Sequence, residues 1–460
     1  MDHLSIWRRA LQRPQFYSTL FLTKRRKGVL KAPPVANLSC YFKRGLPVIE
    51  IGEAQQKVLE EIPVLGRERI HILEALGRVL AQDVAATRDV PSGDNSAMDG
   101  YCCRHEDLTG VTSASPARLK VVGDSPAGRP FPGSVSPGEA VRIMTGGIVP
   151  SGGDTVVMVE HTEKDGDYVL CFKDPGKGAH IRRKGEDVKA GEVVLSAGDI
   201  IRPPEVGMLA TLGHAYVHVY QRPLVAILST GDELVDLDEP FSDGKVVCSN
   251  TYSLAAQVME CGAIPLSLGI ATDEESDQRA RISEGLRADV ILTSGGVSVG
   301  TYDLVKDTLS QLGMRVKFWK VAMKPGKPLV FGTIGNKPVF GLPGNPTSAM
   351  ISFEQFVRPA LLKMMGHSNL FRHLIEAALA EDVNIMSDRP HLVRCKLFER
   401  DGVMMAVTTG NQSSGALRSM VLADGLMVLP PQKRPFAAGE RVKVQLLHTN
   451  NPLSPHSPYE

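Results

Sequence analysis

Several features that would place a chain in a function class at once are missing here. No apolar run approaches the roughly 20 residues that cross a bilayer, so no membrane anchor is expected. Cysteine is sparse and odd in number, seven in all (Cys40, Cys102, Cys103, Cys171, Cys248, Cys261 and Cys395), with no Cys-x-x-Cys spacing. That pattern speaks against a disulfide framework and a zinc knuckle, and it suits a reducing, cytoplasmic setting. An excess of charge of one sign is missing too, since the formal net charge is +1. Without a global field, neither nucleic acid nor an anionic membrane is an expected partner, and any anion must be held by a local site. Nor is there an internal repeat of the solenoid kind.

What is there is the composition of an ordinary globular protein, 43% apolar and 22% charged. At 460 residues the chain is too long for one core, and about three or four domains are expected. Residues 1–47 stand apart, with ten Lys and Arg against the single acid Asp2, and Trp7, Phe16, Tyr17, Phe21 and Phe42 among them. Such a stretch reads as a mitochondrial transit peptide, as a disordered basic tail, or as upstream sequence read through from a misassigned start. A dispensable basic extension is the expectation, and the fold is read from residue 48 onward.

Between residues 48 and 90, Ala54, Val58 and Ile62, then Ile72, Leu73, Leu76, Val79 and Leu80, recur at helical spacing, with Pro63 and Gly66 between them. A pair of helices is predicted. Residues 91–190 break into short strands among Gly and Pro, such as Arg118–Val122, Ala140–Met144, Thr155–Val159 and Tyr168–Phe172, which predicts a small β domain. Residues 191–222 hold Val193 to Leu195 and a short helix from Pro204 to Thr211, begun by Pro203-Pro204. They are expected to rejoin residues 48–90 as one discontinuous helical and β base, making 91–190 an insertion. Residues 223–370 alternate strands (Leu224–Leu228, Ala263–Leu268, Val290–Leu292, Val316–Val321, Leu329–Gly332, Pro338–Phe340) with helices (Ser253–Glu260, Ser276–Leu286, Leu304–Leu312, Thr347–Leu362). This alternation implies a central, doubly wound, mostly parallel sheet with helices on both faces. Residues 371–450 return to strands, at Val393–Leu397, Met404–Val407, Gly425–Leu429 and Arg441–Leu446, and predict a C-terminal β-barrel-like domain. The fold class is therefore multidomain α/β and β.

Ligands of such sheets bind beyond the carboxyl ends of the strands. Three of those ends carry loops rich in glycine or hydroxyls: Ser229-Thr230-Gly231-Asp232, Thr293 to Gly300, and Gly341 to Pro346. Glycine lets the backbone approach a ligand, and the free N–H groups of a helix start favour an anion. Beside them, Lys320, Lys324 and Lys327 fall within eight residues on a stretch that Pro325 and Pro328 keep extended or turning. Such a rigid basic loop grips a phosphate or another oxyanion. Asp232, Glu233, Asp273 and Asp303 gather at the same edge. Singly, each reads as a helix cap or first-turn acid; together they suit Mg2+, which takes one or two carboxylates plus substrate oxygens. Asn95 to Tyr101, Arg142 to Gly147 and Gly185 to Asp187 read locally as turns and nothing more.

Taken together, these phrases resemble one family. NSAMDGY (95–101), RIMTGG (142–147), VVMVE (156–160), GED (185–187), LSTGDEL (228–234), TSGGVSVGTYD (293–303), KPGKP (324–328) and GLPGNPTSA (341–349) stand in the order found in the molybdopterin molybdenumtransferases. That family comprises the bacterial MoeA proteins and the E domain of gephyrin, and the resemblance runs from about Pro47 to Leu447.

The resemblance implies an enzyme of molybdenum cofactor biosynthesis. Such enzymes take adenylated molybdopterin and molybdate, cleave the pyrophosphate bond with the help of Mg2+, release AMP and place molybdenum on the dithiolene. It also implies a four-domain homodimer, supplied by molybdopterin adenylyltransferase or a similar upstream enzyme. The family's functional acids fall on Asp99, Asp187, Glu233, Asp273 and Asp303, its basic pair on Lys320 and Lys324, and its hydroxyls on Thr145 and Ser348. Arg394 and Ser414 match in the last domain. On this basis Lys320, Lys324, Ser348, Arg394 and Ser414 hold molybdate or the terminal phosphate. Ser229, Thr230, Gly231, Asp232, Ser294, Gly295, Gly296, Ser298 and Gly300, with Pro343, Gly344 and Asn345, cradle the pyrophosphate and nucleotide. Asp232, Glu233, Asp273 and Asp303 hold Mg2+, while Asp99, Thr145 and Asp187 approach from the second subunit. Two departures stand out. Cys248-Ser249-Asn250 lies where relatives commonly have an acid before a Ser/Thr-Asn pair. Asn411-Gln412-Ser413-Ser414-Gly415 has serine in place of a second glycine, so Ser413 or Ser414 is the matching hydroxyl. The alternatives are a non-catalytic gephyrin-like scaffold and the adenylyltransferase itself, which uses a related α/β domain but gives the inserted and terminal β domains no role.

Overall fold

The structure is a computed structural model that describes residues 47–240, 242–296 and 304–447, residues 304–307 by their backbone alone. Helix α1, Ile51–Glu61, buries Ala54 and Val58. The second predicted helix is absent. Arg67–His71 is instead a strand, antiparallel to Tyr216–Tyr220 with Arg67 opposite Tyr220. A single 3-10 turn follows at Ile72–Glu74, and Val79 and Leu80 bridge to Ile200 and Val219. The spacing misleads because Leu73 and Leu76 stay 73% and 55% exposed, so the apolar residues form no continuous helical face. A strand pairing distant in sequence overrides the local pattern. Val84–Ala85 pairs likewise with Val193–Leu195, and Pro203–Thr211 is helical as expected.

Between these returning segments lies a six-stranded mixed sheet. Its order is Thr155–Met158, Gly100–Cys103, Glu139–Ile143, Ala117–Ser125, Tyr168–Cys171, Thr162–Asp165. Gly100 is required where it stands, because a Cβ there would lie 2.0 Å from the Val157 carbonyl oxygen across the sheet.

The central α/β region begins with β1, Leu224–Thr230, followed by α2 (Ser249–Glu260), β2 (Ile264–Ala271), α3 (Glu275–Gly285), β3 (Val290–Ser294) and α4 (Leu304–Gln311). It continues through β4 (Arg315–Lys320), β5 (Pro328–Ile334) and β6 (Lys337–Leu342). The sheet order is β2-β1-β3-β6-β5-β4. The first four strands are parallel, and β5 runs against both of its neighbours. Helices cover both faces, which is why β1 and β3 read as nearly unbroken buried runs of Val, Ile and Leu.

From Pro346 to Met364 the chain is helical throughout, as α5 (Pro346–Ser352), a five-residue π-turn (Phe353–Val357) and α6 (Arg358–Met364). The π-turn turns polar groups inward. Glu354 pairs with Arg372 at 3.0 Å, Gln355 donates to Gln445 Oε1 at 2.6 Å, and Gln55 of α1 donates to the Gln355 carbonyl at 3.1 Å. Five strands then close a barrel in the order β7-β9-β8-β10-β11: β7 Leu374–Leu379, β8 His391–Arg400, β9 Val403–Thr408, β10 Gly425–Leu429 and β11 Arg441–Leu446. Leu392, Leu426 and Leu447 of this barrel share one apolar core with α1, the central sheet and the α5–α6 helix. That shared core seats the barrel on the sheet.

Candidate functional site

Parallel register aligns the strand ends. Ser229 lies opposite Ser294, Ser294 opposite Leu342, and Thr230 opposite Ala271. The loops beginning at Gly231, Thr272, Gly295 and Pro343 therefore leave from one edge. Because β5 is antiparallel and β4 reverses again, Lys320 pairs with Pro328 at that same edge, and the Lys320–Pro328 connection joins the four loops.

The backbone turns there depend on glycine. Gly231 has φ +142 and Gly295 φ +93; a Cβ on Gly295 would lie 2.6 Å from the Thr230 carbonyl oxygen. The neighbouring hydroxyls face inward. Ser229 Oγ is 2.8 Å from Thr251 Oγ1, which also meets Cys248 Sγ at 3.3 Å. Asn250 Nδ2 donates to Ser294 Oγ and to the Gly344 carbonyl, both at 2.7 Å. The first turn of α2 thus pins the ends of β1 and β3 and the loop after β6, and the amide orientation is set because Gly344 offers only an acceptor. Ser229 and Ser294 have spent their hydroxyls on this frame. Sequence reasoning met Asn250 only within the Cys248-Ser249-Asn250 departure and gave it no site role.

The barrel completes the basic side. The Lys324 backbone N–H donates to the Pro390 carbonyl at 2.9 Å, and the Leu392 N–H donates to the Lys324 carbonyl at 2.7 Å, stitching the lysine loop to the start of β8. The Thr347 N–H, in the first turn of α5, donates to the Ser414 carbonyl at 3.1 Å, and Ser348 beside it is buried. Arg394 is wholly buried. Its Nε donates to Ser419 Oγ and its Nη2 to the Ser413 carbonyl, both at 3.0 Å, while Nη1 has no partner among the described residues. Burial pushes this guanidinium down to about 10. Among the described residues, none of Lys320, Lys324, Lys327 and Arg394 forms an ion pair. Lysines of one short loop, stitched to the strand that carries Arg394, leave positive charge available to an anion.

Acids stand at the other side of the edge. The Asp273 N–H donates to Asp232 Oδ1 at 3.0 Å, and the Glu233 carboxylate lies over Gly231. Partial burial, reinforced by the Asp232 and Glu233 charges, pushes the Asp273 carboxyl above its ordinary value. Uncompensated negative charge on hard oxygen donors fits Mg2+. Among the described residues no three such side chains close a metal cage. Asp303, Ser298 and Gly300 lie outside the described residues.

The remaining acids form a separate group. Asp99 Oδ1 accepts from the Thr145 N–H at 2.7 Å and from its hydroxyl at 2.8 Å, and these bonds hold the Asp99 carboxyl below its ordinary value. Asp187 is exposed in a turn whose N–H groups bond to the Val90 carbonyl. Among the described residues, no hydrogen bond or ion pair joins Asp99, Thr145 or Asp187 to the sheet edge.

Three family models match nearly all of the described chain: the MoeA N-terminal region (domain I and II) over residues 49–213, the probable molybdopterin binding domain over 226–363, and the MoeA C-terminal region (domain IV) over 376–447. A molybdopterin molybdenumtransferase of Nostoc sp. is 36% identical over 428 residues, covering 88% of this chain and 98% of the relative. Molybdopterin molybdenumtransferase 2 of Mycobacterium tuberculosis is 38% identical over 400 residues, covering 86% and 98%. Among solved structures, the molybdopterin biosynthesis MoeA protein of Pyrococcus horikoshii superposes with a TM-score of 0.76 at 32% identity, covering 87% of this chain and 99% of that one.

Proposed function

The chain belongs to the MoeA family, and on that premise we propose that it is a molybdenumtransferase of molybdenum cofactor biosynthesis. In this reading it takes adenylated molybdopterin and molybdate, breaks the phosphoanhydride, releases AMP and transfers molybdenum to the dithiolene. The observation that carries the reading is that one sheet edge gathers two groups: lysines that form no ion pair among the described residues, and carboxylates. A tetrahedral dianion suits the first, and a pyrophosphate with its Mg2+ would suit the second.

Each residue then has a task. Lys320, Lys324 and Arg394 attract molybdate and orient it near the terminal phosphate. The glycine turns at Gly231, Gly295 and Gly344 bring backbone N–H groups close to the pyrophosphate, and Asn250 keeps those turns in register. Glu233, Asp273 and Asp303 would hold Mg2+, with Asp232 beside Asp273. Mg2+ held there would supply positive charge to offset that of the phosphoanhydride. Asp99, Thr145 and Asp187 serve the site of a second copy, in a cytoplasmic homodimer fed by an adenylyltransferase.

The test is direct. Purified protein mixed with adenylated molybdopterin, Mg2+ and molybdate is expected to release AMP and yield molybdenum-loaded cofactor. A folded, substrate-binding protein that releases no AMP sinks the reading. Formation of adenylated product from molybdopterin and ATP would replace it with adenylyl transfer.

A further inference from the structure

One buried group at the basic side has no task in the mechanism above. His391, the first residue of β8, is 3% exposed, yet among the described residues neither Nδ1 nor Nε2 has a hydrogen-bond partner. A buried polar group left unpaired costs about 1–3 kcal/mol, and folded proteins rarely tolerate one without a reason. Its surroundings supply one. His391 forms a parallel bridge with Lys324, through the two backbone hydrogen bonds already described. Bridged residues project their side chains to the same face of a sheet, so the imidazole is the lateral neighbour of the Lys324 side chain. The charges acting on it are Lys324 from the loop, Arg389 in the turn before β8, whose Nε lies 4.0 Å from Asp388, and Arg394, which three residues along the strand projects from its opposite face. Across the sheet its register partner is Leu429. All three charges are positive.

We propose that His391 is a proton-coupled member of the oxyanion pocket, neutral while the pocket is empty and protonated when a tetrahedral dianion docks beside Lys324. The inference rests on the assignment of Lys324 to the oxyanion made under the proposed function. In the empty protein the ring stays neutral, because burial first and then the Lys324, Arg394 and Arg389 charges push His391 down to about 4. A bound dianion reverses the balance, since an opposite charge favours the protonated ring and gives an unpaired N–H an acceptor. Docking therefore takes one proton from solvent into the complex, and no bond is made or broken. The ligand class is a small tetrahedral oxyanion, either molybdate itself or a phosphate.

The experiment counts protons. Binding of molybdate, and in a second arm of inorganic phosphate, is measured by titration calorimetry in buffers of different ionisation enthalpy, with wild type, His391→Gln and His391→Leu. Wild type is expected to take up close to one proton per anion near pH 6, beyond the anion's own ionisation. Its affinity is expected to rise as pH falls from about 8 to about 6, by up to about tenfold per unit. Both variants, shown folded by thermal melting, are expected to lose the proton uptake and the pH dependence. Uptake in the molybdate arm alone assigns the histidine to the metal oxyanion; uptake in the phosphate arm alone assigns it to the pterin phosphate. Anion binding by wild type with no proton uptake overturns the inference, as does a variant with unchanged pH dependence. No binding of either anion overturns it too. AMP release, assayed on the same preparation, keeps the two claims apart. AMP release without proton uptake removes only the histidine's role, and proton-linked binding without AMP release removes only the transferase reading.

Discussion

Asn250 donates to Ser294 Oγ across 2.7 Å, joining the start of α2 to the end of β3, 44 residues later in the chain. The same nitrogen reaches the Gly344 carbonyl, so one amide sets the spacing of two loops that the proposed pyrophosphate must enter together.

Asn250→Ala leaves Ser294 and Gly344 without their donor. The expected cost is about 1–3 kcal/mol of stability, with KM for adenylated molybdopterin raised roughly tenfold or more and kcat changed less. Thermal melting with steady-state AMP release checks both. A lowered Tm with an unaltered KM would reduce Asn250 to a purely structural clamp.

If Asp99 serves the sheet edge of a second copy, two inactive proteins can repair each other. Asp99→Asn and Asp273→Asn are each expected to release little AMP alone. Mixed and allowed to exchange subunits, they form heterodimers in which one of the two sites is intact, so recovery on the order of a quarter of wild-type activity is expected. No recovery, with exchange demonstrated, places Asp99 and Asp273 in one subunit's site or assigns Asp99 no part in the reaction.

Glu354 and Arg372 are buried together at the π-turn, and Arg372 reaches Glu260 at 3.0 Å from its other side. Glu354→Gln leaves much of the guanidinium charge unbalanced in the interior and is expected to destabilise by roughly 3 kcal/mol. Because this pair links the α5–α6 helix to the segment entering the barrel, hydrogen exchange should rise first in residues 371–447. Uniform exchange across the chain would show that the barrel and the sheet unfold as one unit.

The pH dependence of the empty protein carries a signature of His391. Above its ordinary value of 6.5 the ring is neutral in both folded and unfolded chains. As pH falls through 6.5 the unfolded chain gains a proton that the folded ring refuses until about 4. Stability linked to this group is therefore full above about pH 6.5 and is lost as pH falls to about 4, by up to about 3 kcal/mol. His391→Leu is expected to remove that loss and to raise stability in the acid range, measured by urea unfolding at several pH values. An identical acid-side slope in both proteins would show the ring is not held neutral.

The central sheet was legible because its causes are local. β1 and β3 are short apolar runs bounded by Gly and hydroxyl residues, a pattern that a buried parallel strand produces and little else does. The glycine loops, the lysine stretch and the family phrases follow from covalent order, and they were enough to name the family. Residues 72–80 show the limit of that logic. Their helical spacing is real, but the partner that pulls the preceding segment into a strand, Tyr216–Tyr220, lies far along the chain.

The sequence by itself determined which chemistry the chain carries: a basic loop, carboxylates at strand ends, and turns that only glycine permits. Tertiary structure alone decided how these meet. Parallel register brought Ser229, Ser294 and Leu342 level, the reversal at β5 carried Lys320 to the same edge, and a shared apolar core seated the barrel so that His391 bridges Lys324. Register, long-range pairing and burial are set by free energies summed over the whole fold, and no local window contains them.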